Sequence, residues 1–243
     1  MITSTDNPRV KEVLRLRKAR ERRGSGLFIA EGPREVARAR DAGLRVHATY
    51  VAPALIDWDD PNAEPVDERV MRKLSYRAEP EGVLAVVEIP HHTVPPDATL
   101  LLIAVGIEKP GNLGAMARTA DAAGADALLV ADARSDPWNP NAIRASTGSV
   151  FTLPIVETTA DDVARLPYQK IAAALGAPHD HTSPDYTNPT AFLVGAEDDG
   201  LPDAWRTLAD VQVEIPMHGH TADSLNAGAA AAVLLFEAQR QRG

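Results

Sequence analysis

Apolar residues recur along this chain in two rhythms. Near the start, Val10, Val13, Leu14 and Leu16 form a stripe at helical spacing. They predict a helix from Asn7-Pro8 to about Arg23, with the proline in its first turn and Gly24-Ser25-Gly26 as its stop. A short strand at Leu27–Ala30 follows, then a helix opened by Glu31-Gly32-Pro33 and running to about Ala42. Val46–Ala52 reads as a strand, Asp67–Tyr76 as a helix and Gly82–Ile89 as a strand. The stretch PHHTVPPDA, Pro90 to Ala98, has three prolines and few apolar residues, which marks a linker.

Beyond that stretch the apolar residues gather into continuous runs. Leu100–Val105 is one, as a buried parallel strand requires. A helix at about Asn112–Ala123, a strand at Ala127–Ala131 and a helix at Asn139–Thr147 follow. Strands at Ile171–Leu175, Ala191–Val194 and Val211–Ile215 and a final helix at Ser224–Arg240 complete the pattern. Such alternation predicts an α/β fold with a mostly parallel sheet covered on both faces. The expected organisation is a small α/β domain over residues 1–92, a linker at 93–98 and a larger α/β domain over 99–243.

Composition removes several kinds of chemistry. The 243 residues contain no cysteine, which excludes disulfides, thiolate zinc sites, iron–sulfur clusters and cysteine nucleophiles. The first twenty residues are basic and lack an apolar signal region, and the longest clean apolar run, Ala227 to Phe236, falls short of the roughly 20 residues of a membrane span. A soluble, cytoplasmic protein with no membrane partner is expected.

The net charge of −9 is unevenly spread: residues 1–45 hold 12 Lys/Arg against 6 Asp/Glu, and the remainder 13 against 28. Arg9, Lys11, Arg15, Arg17, Lys18, Arg20, Arg22 and Arg23 all fall within the first 25 residues. A basic segment on an acidic body suits a local phosphate-binding patch, and equally a solvated helix face.

Three glycine-bearing segments stand where strands deliver the chain into helices, the usual place for ligands in such sheets. In VGIEKPGNLGAMARTADAAGADALLV, Gly111 and Gly114 permit close backbone approach and Arg118 follows in the helix. The segment is not GxGxxG, and no P-loop occurs in the chain. In AFLVGAEDDGLP a buried strand delivers Gly195, Glu197, Asp198, Asp199 and Gly200, either a solvated acidic turn or a strand-end pocket. The third segment is IPMHGHTADSLNAGAAAAVLLFEA, Ile215 to Ala238. There His218, His220 and Asp223 have possible metal spacing without a fixed motif, a flexible polar loop being the plainer reading, and Asp223 or Ser224 can cap the helix.

Taken in order, NLGAMARTA, LVGAEDDGL and IPMHGHTADSLNAGAAAAVLLFE resemble the three motifs of the SpoU-type (TrmH-like) RNA ribose 2′-O-methyltransferases of the SPOUT superfamily. NPNAIRASTGSVFTLPI, between the first two, is also similar to that family, and the resemblance spans roughly Leu100 to Arg240. The start, ITSTDNPRVKEVLRLRKARERRGSGLFIAEGPREVARA, resembles the substrate-binding module of ribosomal-RNA members.

The resemblance implies a C-terminal trefoil-knotted methyltransferase domain with a mostly parallel sheet, a small α/β RNA-binding domain before it, a homodimer, and S-adenosyl-L-methionine as cofactor. It implies no metal. Leu175, Gly176, Gly195, Ile215, Met217, Ser224 and Leu225 would hold the cofactor. The family's functional polar set falls on Asn112, Arg118, Glu197, Ser224 and Asn226. Arg118 would hold the target phosphate and polarise the 2′-hydroxyl, or act as base, with the others orienting it, the ribose and the loop. Arg9, Lys11, Arg15, Arg17, Lys18, Arg22 and Arg23 would meet the phosphates of structured RNA, most naturally ribosomal. The chain departs from the family in a loop, HTAD, one residue longer than usual, and in Ala227-Gly228 after Asn226. A transfer-RNA substrate, a non-catalytic ribosome-assembly protein and an unrelated nucleotide-dependent α/β enzyme are the competing readings, the last lacking its signature glycine motifs.

Overall fold

The computed structural model describes residues 1–221 and 223–243. The chain forms two compact units, one of Met1–His91 with Trp138–Thr152, the other of His92–Pro137 with Leu153–Gly243.

In the first unit the chain runs α1 (Pro8–Arg15), α2 (Ala19–Ser25), β1 (Leu27–Glu31), α3 (Pro33–Asp41), β2 (Val46–Val51), β3 (Glu64–Pro65), α4 (Glu68–Leu74) and β4 (Val83–Glu88). The sheet order is β1-β4-β2-β3, antiparallel except for the β2–β3 pair. Ile29, Leu84 and Val86 pack with Val10 and Val13 of α1 and with Val70 and Leu74 of α4. Phe28, one step out of phase with Ile29 on β1, meets Trp138 and Phe151 at ring separations of 5.0 and 5.6 Å. Residues Trp138–Thr152, which carry α6 (Pro140–Ser146), therefore pack with the N-terminal strands, unlike the single boundary expected near residue 92.

The helix expected from Asn7 to Arg23 is two helices. Lys18 is extended, at φ −92° and ψ 131°. A continuous helix would pair the Leu16 carbonyl with the amide of residue 20. Here that carbonyl accepts from Arg22 Nη1 at 2.7 Å, and Arg22 is 1% exposed. A side-chain bond stands where a helical backbone bond would be.

In the second unit the chain runs β5 (Leu100–Val105), α5 (Pro110–Ala122), β6 (Ala127–Ala131), β7 (Ile155–Thr158), α7 (Ala160–Ala164), β8 (Gln169–Ala173), β9 (His179–Asp180), β10 (Thr190–Val194), α8 (Asp203–Leu208), β11 (Val211–Glu214) and α9 (Ala227–Arg242). Its seven strands are all parallel, in the order β7-β6-β5-β10-β8-β11-β9. Every residue of β5, β6 and β10 is buried, as the unbroken apolar runs of β5, β6 and Ala191–Val194 require. Leu101, Ile103 and Leu193 pack with Val163 of α7 and Trp205 of α8. Helices α5 and α9 pack against each other over the sheet. The Pro-rich stretch joins this unit, with Val94 on its core and the Ile155 N–H donating to His92 Nδ1 at 3.1 Å. No described helix is long and apolar enough to cross a membrane.

Candidate active site

The strand order reverses between β5 and β10, and in open parallel sheets ligands lie beyond the carboxyl ends of the strands near such a point. A cavity of about 210 Å³ opens there, at the ends of β8, β10 and β11. Leu175, Ile215, Met217 and Leu225 supply apolar walls, Gly195 and the turn after it supply backbone, and the exposed Ser224 also lines it.

Gly195 is demanded by the chain itself. A Cβ there would lie 2.5 Å from the Leu201 amide nitrogen and closer still to the Gly200 carbonyl. The turn between closes with the Gly200 N–H donating to the Ala196 carbonyl at 2.8 Å, Gly200 taking a left-handed φ of +65°. The glycine thus lets the acidic turn fold back over the end of β10.

Glu197 is the junction of the site. Its Oε1 accepts from Asn112 Nδ2 at the start of α5 and lies 3.4 Å from the donating Ala227 N–H at the start of α9. One carboxylate therefore ties the opening turns of two helices to the strand end between them, and an anion suits the positive ends of both. Close packing of those helices is possible because Gly228 faces Ala115, whose Cβ would be 3.1 Å from a Cβ added at 228.

The structure brings Leu175, Gly195, Ile215, Met217, Ser224, Leu225 and Glu197 to the one cavity, and joins Asn112 to it through Glu197. Gly176 is outside the lining. Its N–H donates to Glu214 Oε1 at 3.0 Å, so it shapes the turn after β8 at φ +68°. Asn226 is the cap of α9, its Oδ1 accepting from Ala229 N at 2.8 Å, so the helix begins at Ala227 and neither Asp223 nor Ser224 caps it. Arg118 lies exposed on α5, outside the cavity lining, with no hydrogen bond or ion pair among the described residues. Among the described residues no group of three His, Asp or Glu is placed to hold a metal, and Ala222 in the long HTAD loop lies outside them.

The expected basic face is only partly available. Arg22 is buried and bonded to Leu16, so it is not a surface cation. Arg17 is half-buried and donates to the carbonyls of Lys73 at 2.8 Å and Ser75 at 2.5 Å, closing the end of α4. Arg9 pairs with Glu64, Lys11 with Asp6 and Arg15 with Glu21. Lys18, Arg20 and Arg23 stay exposed and make no ion pair among the described residues. Two residues at the cavity had no signal in the sequence. Arg206 lines it from α8, and Glu214 orders the turn beside it.

Residues 99–236 match the SpoU rRNA methylase family. The chain belongs to that family. Residues 7–85 match the MRM3-like substrate binding domain. Among named SpoU-type relatives, the 23S rRNA (uridine(2479)-2′-O)-methyltransferase of Streptomyces viridochromogenes is 43% identical over 144 residues, 55% of this chain and 50% of that enzyme. This chain thus spans about half the length of that relative. The Bacillus subtilis 23S rRNA (guanosine(2553)-2′-O)-methyltransferase RlmP is 29% identical over 97% of each chain. The crystal structure of the SpoU methyltransferase AviRb from Streptomyces viridochromogenes, in complex with the cofactor AdoMet, is similar at a TM-score of 0.86 and 32% identity, covering 97% of this chain and 98% of that one.

Proposed function

We infer that this protein transfers a methyl group from S-adenosyl-L-methionine to a ribose 2′-hydroxyl of ribosomal RNA. The observation that carries the reading is the cavity at the strand ends, lined by six of the seven expected cofactor residues (Leu175, Gly195, Ile215, Met217, Ser224 and Leu225) and joined through Glu197 to Asn112. Family membership and relatives named as 23S rRNA 2′-O-methyltransferases support it.

The lining fits the cofactor. Apolar Leu175, Ile215, Met217 and Leu225 suit a flat heterocycle, and the carboxylates of Glu197, Asp198 and Asp199 suit a cationic centre. When bound, the cofactor supplies a methyl already activated on a sulfonium. The chain's own task is alignment and charge, and alignment alone can lower a barrier by up to about 7–11 kcal/mol. Arg118 is exposed and uncommitted among the described residues, so it can take an RNA phosphate on its planar fork and polarise the neighbouring hydroxyl. Its exposure and planar fork suit holding a phosphate. Asn112 and Glu197 fix the start of α5, which carries Arg118 further along its length. Ser224 lines the cavity, and the Asn226 cap sets where α9 begins.

A trefoil-knotted chain, a homodimer and a cytoplasmic setting belong to the same proposal. They rest on the motif resemblance and, for the dimer, on Phe236 of α9, which is 51% exposed. The test is tritiated methyl incorporation on unmodified ribosomal and transfer RNA, with wild type and Arg118→Ala. Transfer to ribosomal RNA, slowed about 100-fold or more by the substitution, is expected, by analogy with the loss of a single transition-state donor. An Arg118→Ala protein that folds, binds cofactor and methylates normally removes Arg118 from the mechanism. No transfer by wild type turns the reading toward a non-catalytic RNA-binding protein.

A further inference from the structure

Arg206 stands at the cavity with no part in the scheme above. It lies on α8, and its Nε donates to the Leu201 carbonyl at 3.0 Å. Its Nη2 reaches Gly200, 3.9 Å from where a Cβ at that glycine would be. The terminal nitrogens make no hydrogen bond or ion pair with the described residues. Arg206 is also the one cation among the described lining residues, where Glu197, Asp198 and Asp199 are the other charges.

That pattern has a chemical complement. An amino-acid tail next to a sulfonium carries two positive centres and a single carboxylate. The acidic turn favours the positive centres and repels the carboxylate, which needs a cation to enter at all. We propose that Arg206 binds the α-carboxylate of the methionine tail of S-adenosyl-L-methionine and so fixes where that tail lies in the cavity. The inference rests on the cofactor reading above. Arginine fits the task better than lysine, because a planar fork receives a carboxylate through two parallel N–H bonds. The Nε bond to Leu201 already holds the side chain, so less freedom is lost when ligand arrives. The same bond ties Arg206 to the turn that Gly195 admits, so the acids and the arginine are placed by one local structure.

The test separates the tail from the rest of the ligand. Calorimetry compares S-adenosylhomocysteine, which has the complete amino-acid tail, with 5′-methylthioadenosine, which has the nucleoside and thioether without it. Wild type, Arg206→Ala and Arg206→Lys are titrated with both. Arg206→Ala is expected to weaken S-adenosylhomocysteine by about 10- to 100-fold, the range for a charge-assisted hydrogen bond. Methylthioadenosine binding should stay within about twofold, since it makes no such bond, and Arg206→Lys should recover part of the loss. Equal weakening of both ligands means that Arg206 only braces the turn, and overturns the proposal. Unchanged S-adenosylhomocysteine affinity overturns it as well. A wild-type protein that binds neither ligand overturns the cofactor reading and this inference with it.

Discussion

Gly195→Ala is the sharpest perturbation of the site, because its cost is steric and local. Gly195 is not among the glycines with positive φ, so the backbone itself accepts alanine. The obstacle is the returning turn, since the new methyl would lie 2.5 Å from Leu201 N and closer to the Gly200 carbonyl. Those atoms are backbone and cannot rotate aside. Overpacking of this kind costs about 1–3 kcal/mol. Relief by moving the turn gives up the 2.8 Å bond from Gly200 N–H to the Ala196 carbonyl, worth about 1 kcal/mol. If the fold absorbs the strain, the thermal midpoint falls by about 2–12 °C. If the turn yields, the wall of the cavity moves, and affinity for S-adenosylmethionine drops by roughly 5- to 150-fold, the same energy expressed in binding. Differential scanning calorimetry and isothermal titration read the two channels. An alanine variant that melts with wild type and binds cofactor within about twofold refutes the close-approach argument, since some part of about 1–3 kcal/mol must surface in one of them.

Other consequences are equally direct. Arg22→Met keeps the volume but leaves the Leu16 carbonyl without its donor, and urea unfolding should show a loss of about 1–3 kcal/mol. Replacing Lys18, Arg20 and Arg23 together by glutamine should weaken RNA binding and reduce its log–log salt slope by about 2–3, whereas the same change at the paired Arg9 and Arg15 should do less. The Glu237 carboxyl is held at about 2, below its ordinary 4.5, chiefly by hydrogen bonds from Arg240 and then Gln241, against the opposing effect of burial. A depressed carboxylate adds stability above its unfolded value, and that contribution fades as pH falls from about 4.5 toward about 2. Glu237→Gln should therefore flatten the acid limb of a stability-versus-pH curve in that window, and an unchanged limb would contradict it.

Much of the fold could be read from the residues because burial on both faces leaves a plain signal. β5, β6 and all of β10 after Thr190 are unbroken apolar runs, and all three are central strands. What escaped was short or tertiary in origin. β7, α7, α8 and β9 span two to six residues each, too few for a period to show. The break after α1 lies within a continuous helical pattern and exists because Arg22 reaches back to Leu16. At the site, the apolar wall followed from a motif resemblance. The bond from Asn112 to Glu197 spans 85 positions, and only packing makes it. Arg206 looks in sequence like any surface arginine early in a helix, and its place at the cavity comes from the turn that Gly195 allows.

The pairing of Phe28 with Trp138 and Phe151 also sets an order of events during synthesis. The first unit cannot close its aromatic cluster when His91 leaves the ribosome, because its last piece ends at Thr152. At typical elongation rates of about 5–20 residues per second, the unit waits roughly 3–12 s for that piece. During the wait β5 and β6 emerge as hydrophobic strands that can pair with each other, while β10, the other neighbour of β5, and β7, the other neighbour of β6, have not been made. Both units therefore pass through a shared window of exposure, which closes for the first unit once Thr152 has been made and for the second only after β10 follows.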